Sequence, residues 1–384
     1  MKRAVAILSV LVMVVVFSGC PRKPARQAQG VMDTPQHHVE MADRYIHKGD
    51  WDAAHKEYQL AIGLDSKYVP ALAGEALYFA HAKNPEEAEK YRKLAWDYAK
   101  KPDQKLEYYI GMIRYHAFMG EKNWIKHSED AFARAKEIKA GDERIYYYMG
   151  WAYKEALQFS DAEAMYKKVI ELNGKLREDA NNEWELVQKI VRAKPGTPAG
   201  LKIALVKEIT KADVAALFVQ EMHLPELWQK RGIKKWETPS FQTPGEARMA
   251  QQGPVMPSDI ADHPLRSDIE AVLGLGIRGL EVMPDGKFYP NNKITRAEYA
   301  LMLEDILIKV LNEPGLATRY VADPNSQFHD MRTDNFAYNA AVVVSNRQIM
   351  PADMEGNFKP LDPVAGVDAL LVIRKMQDYL KISW

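Results

Sequence analysis

Small and aromatic residues recur with a fixed spacing through the first half of the chain, from about Thr34 to Asn173. Ala42 and Ala76 occupy matching places in the first two units and lie 34 residues apart. A period of this length is typical of a helix pair, in which small residues let the helices approach closely and aromatic residues fill the gaps. One pair cannot bury its own apolar face, whereas three or more stacked pairs can. The spacing therefore predicts an array of helix pairs.

The pattern continues through four units, of which the third is longer and less regular. It resembles a four-repeat tetratricopeptide array covering residues 34–175. The resemblance implies an α-solenoid with a concave groove that binds a peptide or a partner protein, whose identity the sequence does not give. Five tyrosines are candidates for that groove, with the alternative that they belong to the helical core: Tyr108, Tyr109, Tyr146, Tyr147 and Tyr148.

A turn followed by a helix start stands out in the second half, where proline and glycine become frequent. Gly286–Pro290 has the pattern G-x-F-x-P, and Ile294–Glu298 reads I-T-R-A-E. Together with Asp259–Asp262 upstream, this stretch resembles an S-layer homology domain. A diverged copy of the turn occurs at Gly356–Pro360, and a diverged copy of the helix start at Ile209–Asp213.

This second resemblance implies three modules of short helices packed as a pseudo-trimer within about residues 183–381. The modules lie at about 183–224, 258–312 and 328–381, and an insertion near 225–257 has no assigned role. The expected fold class is mostly α, with an N-terminal α-solenoid of tetratricopeptide helix pairs followed by a helical set of S-layer homology modules.

The helix starts have a structural explanation of their own. Thr295 is placed as an N-cap and Glu298 as its reciprocal partner, which together form a capping box. Thr210 and Asp213 have the same spacing in the first module. These residues therefore begin helices, whatever else they do.

Capping does not explain Arg296, because a cation in the first helical turn opposes the helix dipole. A guanidinium beside free helix N–H groups offers several donors to one carboxylate. The resemblance implies that this arginine contacts acidic cell-wall glycan, notably a pyruvyl ketal. Lys211 keeps the charge without the bidentate fork, and Gly366 removes the cation from the third copy. The predicted glycan-binding residues are Arg296, Thr295, Glu298, Lys211, Thr210 and Asp213.

The N-terminus has the features of a secretory signal. Cys20, the only cysteine, follows a positive start and a short apolar run, and residues 17–20 resemble the lipobox of bacterial lipoproteins. The resemblance implies a signal peptide at 1–19, an acylated Cys20 inserted in a membrane, and a flexible tether at 20–33. Pro21 favours the outer membrane, facing the periplasm, in a bacterium with two membranes. The alternatives are a signal peptide with an unmodified cysteine and an uncleaved anchor helix.

Composition and missing motifs exclude several function classes. The chain has 52 basic and 52 acidic residues and no basic stripe, so a nucleic-acid partner is not expected. It contains no H-E-x-x-H, G-x-S-x-G or Walker A motif and no obvious catalytic carboxylate pair. We therefore expect a non-enzyme without a cofactor. His37 and His38 have no third ligand at helical spacing, so they predict an exposed pair and no metal site.

These features together predict a cell-envelope lipoprotein that links membrane to cell wall. Its modules would bind peptidoglycan or a wall polysaccharide, and its repeats a protein partner. The alternative is an assembly or scaffolding factor for pili, secretion or exopolysaccharide export, in which the modules only localise the array.

Overall fold

Helices make up the regular structure of the described part of the chain. A computed structural model describes residues 26–233, 256–321 and 323–382. Within these ranges there is no β-strand, and two isolated β-bridges occur near the helix starts. Cys20 with the predicted lipobox, and most of the 225–257 insertion, lie outside the described residues. None of the described helices is both long and apolar enough to cross a membrane.

The chain divides into two compact units after residue 140, and the first contains the described residues 26–140. Its described helices are α1 (Pro35–His47), α2 (Trp51–Leu64), α3 (Val69–His81), α4 (Pro85–Tyr98), α5 (Pro102–Met119) and α6 (Trp124–Lys139). They pack in consecutive pairs, α1 with α2, α3 with α4 and α5 with α6. Side chains fix several helix starts: Asp50 accepts from the N–H of Ala53, and Asn84 from that of Glu87.

Small residues allow the close approach of the helices in this unit. Ala42, Ala54 and Ala76 are fully buried. Gly74 lies directly against Tyr58, and a Cβ atom at this glycine would come within 2.3 Å of the tyrosine ring. A larger side chain would push α2 and α3 apart. The expected α-solenoid of helix pairs is confirmed, with the small residues at the helix crossings.

The second compact unit begins at residue 141 and contains the described residues that follow. Its described helices are α7 (Glu143–Glu155), α8 (Phe159–Leu172), α9 (Arg177–Ala193), α10 (Pro198–Ile203), α11 (Lys211–Ala216), α12 (Leu224–Arg231), α13 (Arg266–Leu273), α14 (Arg296–Leu311), α15 (Tyr338–Asn346) and α16 (Gly366–Leu380). Helix α11 continues directly into a π-helical segment, Leu217–Glu221. The expected helical region after the solenoid is therefore present.

The boundary between the two compact units falls inside the predicted array. Helices α7 and α8 belong to predicted repeats, yet they lie in the same unit as the module helices. Helix α9 packs against the C-terminal helix α16. The domain bounds given above follow sequence resemblance rather than packing, and they stay a prediction.

A closed ring of three backbone hydrogen bonds joins the helix starts of the modules. The N–H of Ile209 donates to the carbonyl of Val364 at 2.9 Å, and the N–H of Val364 donates to Ile294 at 3.1 Å. The N–H of Ile294 completes the ring by donating to Ile209 at 3.0 Å. These residues lie shortly before α11, α14 and α16. The ring gives the three modules the cyclic arrangement expected of a pseudo-trimer.

Candidate functional site

Two turns of the same geometry carry the buried rings of Phe288 and Phe358. The carboxylate of Asp259 accepts from the N–H of Phe288 and of the next residue, at 2.9 and 2.7 Å. Asp330 accepts in the same way from Phe358 and its successor, at 2.8 and 2.7 Å. Burial tends to raise the pKa of Asp259, but these N–H donors outweigh it and the pKa lies below its usual value. Each turn is thus held by one aspartate that accepts two backbone hydrogen bonds.

Arg296, the first residue of α14, extends its side chain over the second of these turns. Its guanidinium carbon lies 4.9 Å from the centroid of the Phe358 ring. Nε donates to the carbonyl of Phe358 at 2.7 Å, and Nη2 donates to the carbonyl of Pro351 at 3.3 Å. Nη1 has no hydrogen-bond partner among the described residues, and the side chain is half-buried. Arg296 therefore joins the second module to the third and keeps N–H donors for a ligand.

Lys211, the first residue of α11, occupies the matching place over the first turn. Its Nζ lies 4.2 Å from the centroid of the Phe288 ring and donates to the carbonyl of Glu281 at 3.1 Å. The residue is only 6% exposed. Burial lowers the pKa of Lys211, although Glu281 and Asp259 favour its charged form. The same backbone geometry therefore buries Lys211 more completely than Arg296.

Gly366, the first residue of α16, leaves the third junction without a cation. Its N–H donates to the carbonyl of Val206 at 2.8 Å, as the helix starts of the other modules donate to their neighbours. A Cβ atom at Gly366 would lie 1.7 Å from the carbonyl oxygen of Ile203. No side chain fits at this position without a backbone shift, which explains why the third copy lacks an arginine.

Both predicted capping boxes are confirmed. Thr295 Oγ1 accepts from the N–H of Glu298 at 3.3 Å, and Glu298 Oε2 accepts from the N–H of Thr295 at 2.8 Å. Thr210 and Asp213 exchange the same two bonds, at 3.2 and 2.8 Å. Each threonine and its acidic partner therefore lie at the same helix start as the predicted glycan-binding cation.

The N–H groups at the start of α14 already have partners. The N–H of Arg296 donates to the carbonyl of Asp362 at 2.9 Å, and that of Ala297 donates to Pro360 at 3.0 Å. The N–H of Glu298 is taken by the capping threonine. The expectation that free helix N–H groups complete an anion site is therefore wrong, because the third module occupies them. Any donors for a ligand come from the guanidinium.

Carboxylates surround this guanidinium. Burial lowers the pKa of Arg296, and the charges of Asp368, Asp362, Asp330 and Asp353 act in the opposite direction. Asp353 accepts from neighbouring backbone N–H groups and from a lysine Nζ, which lowers its pKa to about 2. These negative charges partly offset the positive charge of Arg296, so the site attracts an anionic ligand only modestly.

Sequence reasoning missed the two phenylalanine rings and the Pro351 carbonyl as parts of these sites. The phenylalanine of the G-x-F-x-P turn was the available signal, because it occupies the same place in both copies of the turn in this chain. Its cation, however, comes from the preceding module: Arg296 and Phe358 are 62 positions apart. Only the packing of modules pairs each ring with its cation.

The five candidate tyrosines of the groove differ in how far they are buried. Tyr108, Tyr146 and Tyr148 are buried, which agrees with the core alternative, whereas Tyr109 and Tyr147 are partly exposed. In the first unit, Arg92 Nη1 donates to the hydroxyl of Tyr108 at 2.9 Å. The tyrosine set as a whole therefore does not line a groove.

The histidine pair near the N-terminus is not exposed as predicted. His38 is 9% exposed, with Nδ1 2.6 Å from Glu57 Oε2 and Nε2 2.7 Å from Asp33 Oδ1. Burial tends to lower the pKa of His38, but the two carboxylates raise it overall. His38 is buried because α1 turns it toward the acids of α2 and of the preceding segment.

Comparison with known families supports the second module. Residues 258–300 match the family model of the S-layer homology domain. No curated protein and no solved structure matches the chain. The matched segment contains Asp259, Phe288 and Arg296, and it points to a role in binding the cell wall or cell envelope.

Proposed function

We propose that this protein is a non-catalytic cell-envelope lipoprotein that binds cell-wall glycan or peptidoglycan at the junction of its second and third modules. The observation that carries the proposal is Arg296, a half-buried arginine in the matched segment with Nη1 free of partners among the described residues. Such a guanidinium can donate two parallel hydrogen bonds to a carboxylate or to sugar hydroxyls.

The surroundings of Arg296 favour a weak single site. Its Nε and Nη2 already bind carbonyls, and nearby carboxylates compensate its charge. Lys211 is too enclosed to offer an equal second site, and Gly366 offers none. A membrane tether through acylated Cys20 would offset weak contacts, because it raises the effective concentration of the module near the wall.

The helical array completes the proposal as the protein-binding part. Stacked helix pairs present an extended surface that commonly binds a peptide or protein. The tetratricopeptide identity of the array and its partner rest on the spacing of small and aromatic residues. In this proposal, the lipid fixes the protein to the outer membrane, the modules hold the wall, and the array holds a partner.

Co-sedimentation with purified cell wall tests the wall-binding role. The full-length chain would be compared with Arg296→Ala and with Arg332→Ala, a matched loss of one arginine. Arg332 belongs to the third module, and its side chain is 87% exposed. We expect Arg296→Ala to reduce the bound fraction about tenfold, the loss of one good charge-assisted contact, and Arg332→Ala to leave it unchanged.

Two controls make this result interpretable. Thermal unfolding of Arg296→Ala shows whether the module junction survives, and Arg296→Lys keeps the charge while removing the fork. Wall preparations with and without attached polysaccharide distinguish that ligand from peptidoglycan. Equal wall binding by wild type and by a folded Arg296→Ala variant would refute the proposed site.

The third junction, where Gly366 leaves no room for a cation, favours the alternative role as a scaffold. If only one of three junctions can bind, the modules could serve mainly to localise the array as a scaffold for pili, secretion or exopolysaccharide export. Full envelope function in cells that carry Arg296→Ala, despite lost wall binding, would support that scaffold role over the wall link.

A further inference from the structure

Three potential metal ligands meet at the turn between α5 and α6 in the first unit. They are His116 near the end of α5, Glu121 in the turn and His127 in the second turn of α6. One ligand atom from each lies within 4.8 Å of the other two. Their spacing in sequence is not helical, so the cluster exists only because the chain reverses direction here.

His116 shows that the cluster is incomplete as it stands. Its Nδ1 is buried and has no hydrogen-bond partner among the described residues. The nearest acid oxygen, Glu121 Oε2, is 3.8 Å away, which is beyond hydrogen-bonding distance. Buried polar atoms without partners are rare, and each calls for an explanation such as an ion that completes it.

The turn holds the three side chains close to one another. The N–H of Gly120 donates to the carbonyl of His116 at 3.2 Å, and Gly120 and Asn123 both adopt left-handed backbone conformations. Only four residues connect the two helices, so Glu121 cannot move far from either histidine. The ring centroids of His116 and His127 lie 5.2 Å apart.

Two imidazole nitrogens and one carboxylate oxygen select the class of ion. Zn²⁺ and similar divalent transition metals bind this set, whereas Ca²⁺ and Mg²⁺ prefer oxygen ligands alone. Tetrahedral zinc places its ligand atoms about 3.3 Å apart. Glu121 and His127 are both exposed, and the three ligand atoms must come closer together to reach that spacing.

We propose that His116, Glu121 and His127 form a binding site for a divalent transition metal of the Zn²⁺ class. Three protein ligands leave a fourth position for water or for a group from a partner. The site lies in the first unit and does not depend on wall binding by the modules. It also revises the expectation of no metal site, which rested on a different pair of histidines.

Isothermal titration of the full-length chain with ZnCl₂ tests this site. Every sample would carry Cys20→Ser, to remove the one thiolate, and would be purified in detergent without a histidine tag. We expect one Zn²⁺ per chain, with affinity reduced more than about 100-fold by His127→Ala, since even outer-shell partners of a metal contribute about 10- to 100-fold. Glu121→Gln should also weaken binding, and His37→Ala, outside the cluster, should not.

A second readout separates a built site from weak attachment to surface histidines. Excess Zn²⁺ should raise the melting temperature of the wild type and of His37→Ala, but not that of His127→Ala, because a ligand stabilises only the state that binds it. Since His127 and Glu121 are exposed, their variants should keep the circular dichroism spectrum of the wild type. Unchanged affinity and stoichiometry in His127→Ala, or no saturable binding by the wild type, would overturn the proposal.

Discussion

The module junctions at Arg296 and at Lys211 have the same backbone geometry, but the two cations differ in exposure. Both cations begin a capped helix and lie over a phenylalanine whose turn is held by an aspartate. Arg296 is half-buried and has one nitrogen free of described partners, while Lys211 is 6% exposed. A repeated motif therefore does not guarantee a repeated site.

The third junction keeps the backbone geometry of the other two but has no cation. The N–H of Gly366 keeps the helix-start hydrogen bond to Val206. The carbonyl of Ile203 fills the place that a side chain would need. The three junctions thus range from open through enclosed to closed, and the following variants test that order.

Gly366→Ala should have the largest effect. A Cβ atom 1.7 Å from the Ile203 carbonyl forces a backbone shift, so we expect the free energy of unfolding to fall by about 3 kcal/mol or more. Urea denaturation of the full-length chain measures this change. Gly315→Ala is the control, since nothing lies within 4 Å of its Cβ position, and it should stay within about 0.5 kcal/mol of wild type. A tolerated Gly366→Ala would mean that the third junction is not closed.

Asp330→Ala should have the next effect, through the turn under Arg296. Two N–H groups, those of Phe358 and Lys359, would lose a charged acceptor, and we expect a loss of about 2 kcal/mol in unfolding free energy. Wall binding should fall as well, because this turn presents the carbonyl that orients the guanidinium.

Asp259→Ala, the matched change under Lys211, sharpens the comparison. It should reduce stability by a similar amount, since it also removes the acceptor of two backbone N–H groups, but it should affect wall binding less. Asp334→Ala, whose side chain is 67% exposed, is the neutral control. Equal losses of wall binding in both aspartate variants would show that the two junctions bind alike.

The pH dependence of stability should show the smallest effect. Burial lowers the pKa of Lys211, so near and below its ordinary pKa of about 10.4 the unfolded chain binds more protons at this residue than the folded chain. The contribution of Lys211 to stability therefore rises with pH in that window. Arg296 stays charged throughout and adds no slope.

Lys211→Met isolates this contribution. Urea midpoints from pH 8 to pH 10 would be compared for the variant and the wild type, and the wild type should gain stability relative to the variant as pH rises, because deprotonation removes the buried charge. Parallel profiles for the two proteins would mean that Lys211 is as well solvated as Arg296, and the distinction between the junctions would be lost.

Local features of the fold were readable from sequence because they depend on residues a few positions apart. The capping boxes of Thr295 with Glu298 and of Thr210 with Asp213 are examples, since each threonine needs only an acid three residues later. The helical array is another, because Ala42 and Ala76 keep their spacing along the chain. Exposure was less readable: His38 looked like a surface residue, but it contacts Glu57 on the next helix.

The sequence by itself determined the helix starts, the small residues at helix crossings and the type of cation at each module. Only the tertiary structure decided which cation remains accessible, that a backbone carbonyl closes the third junction, and that His116 meets His127. These outcomes depend on contacts between distant segments, such as Arg296 with Phe358 and Gly366 with Ile203. Packing of one module against the next sets the solvation of each cation, and no short motif encodes that contact.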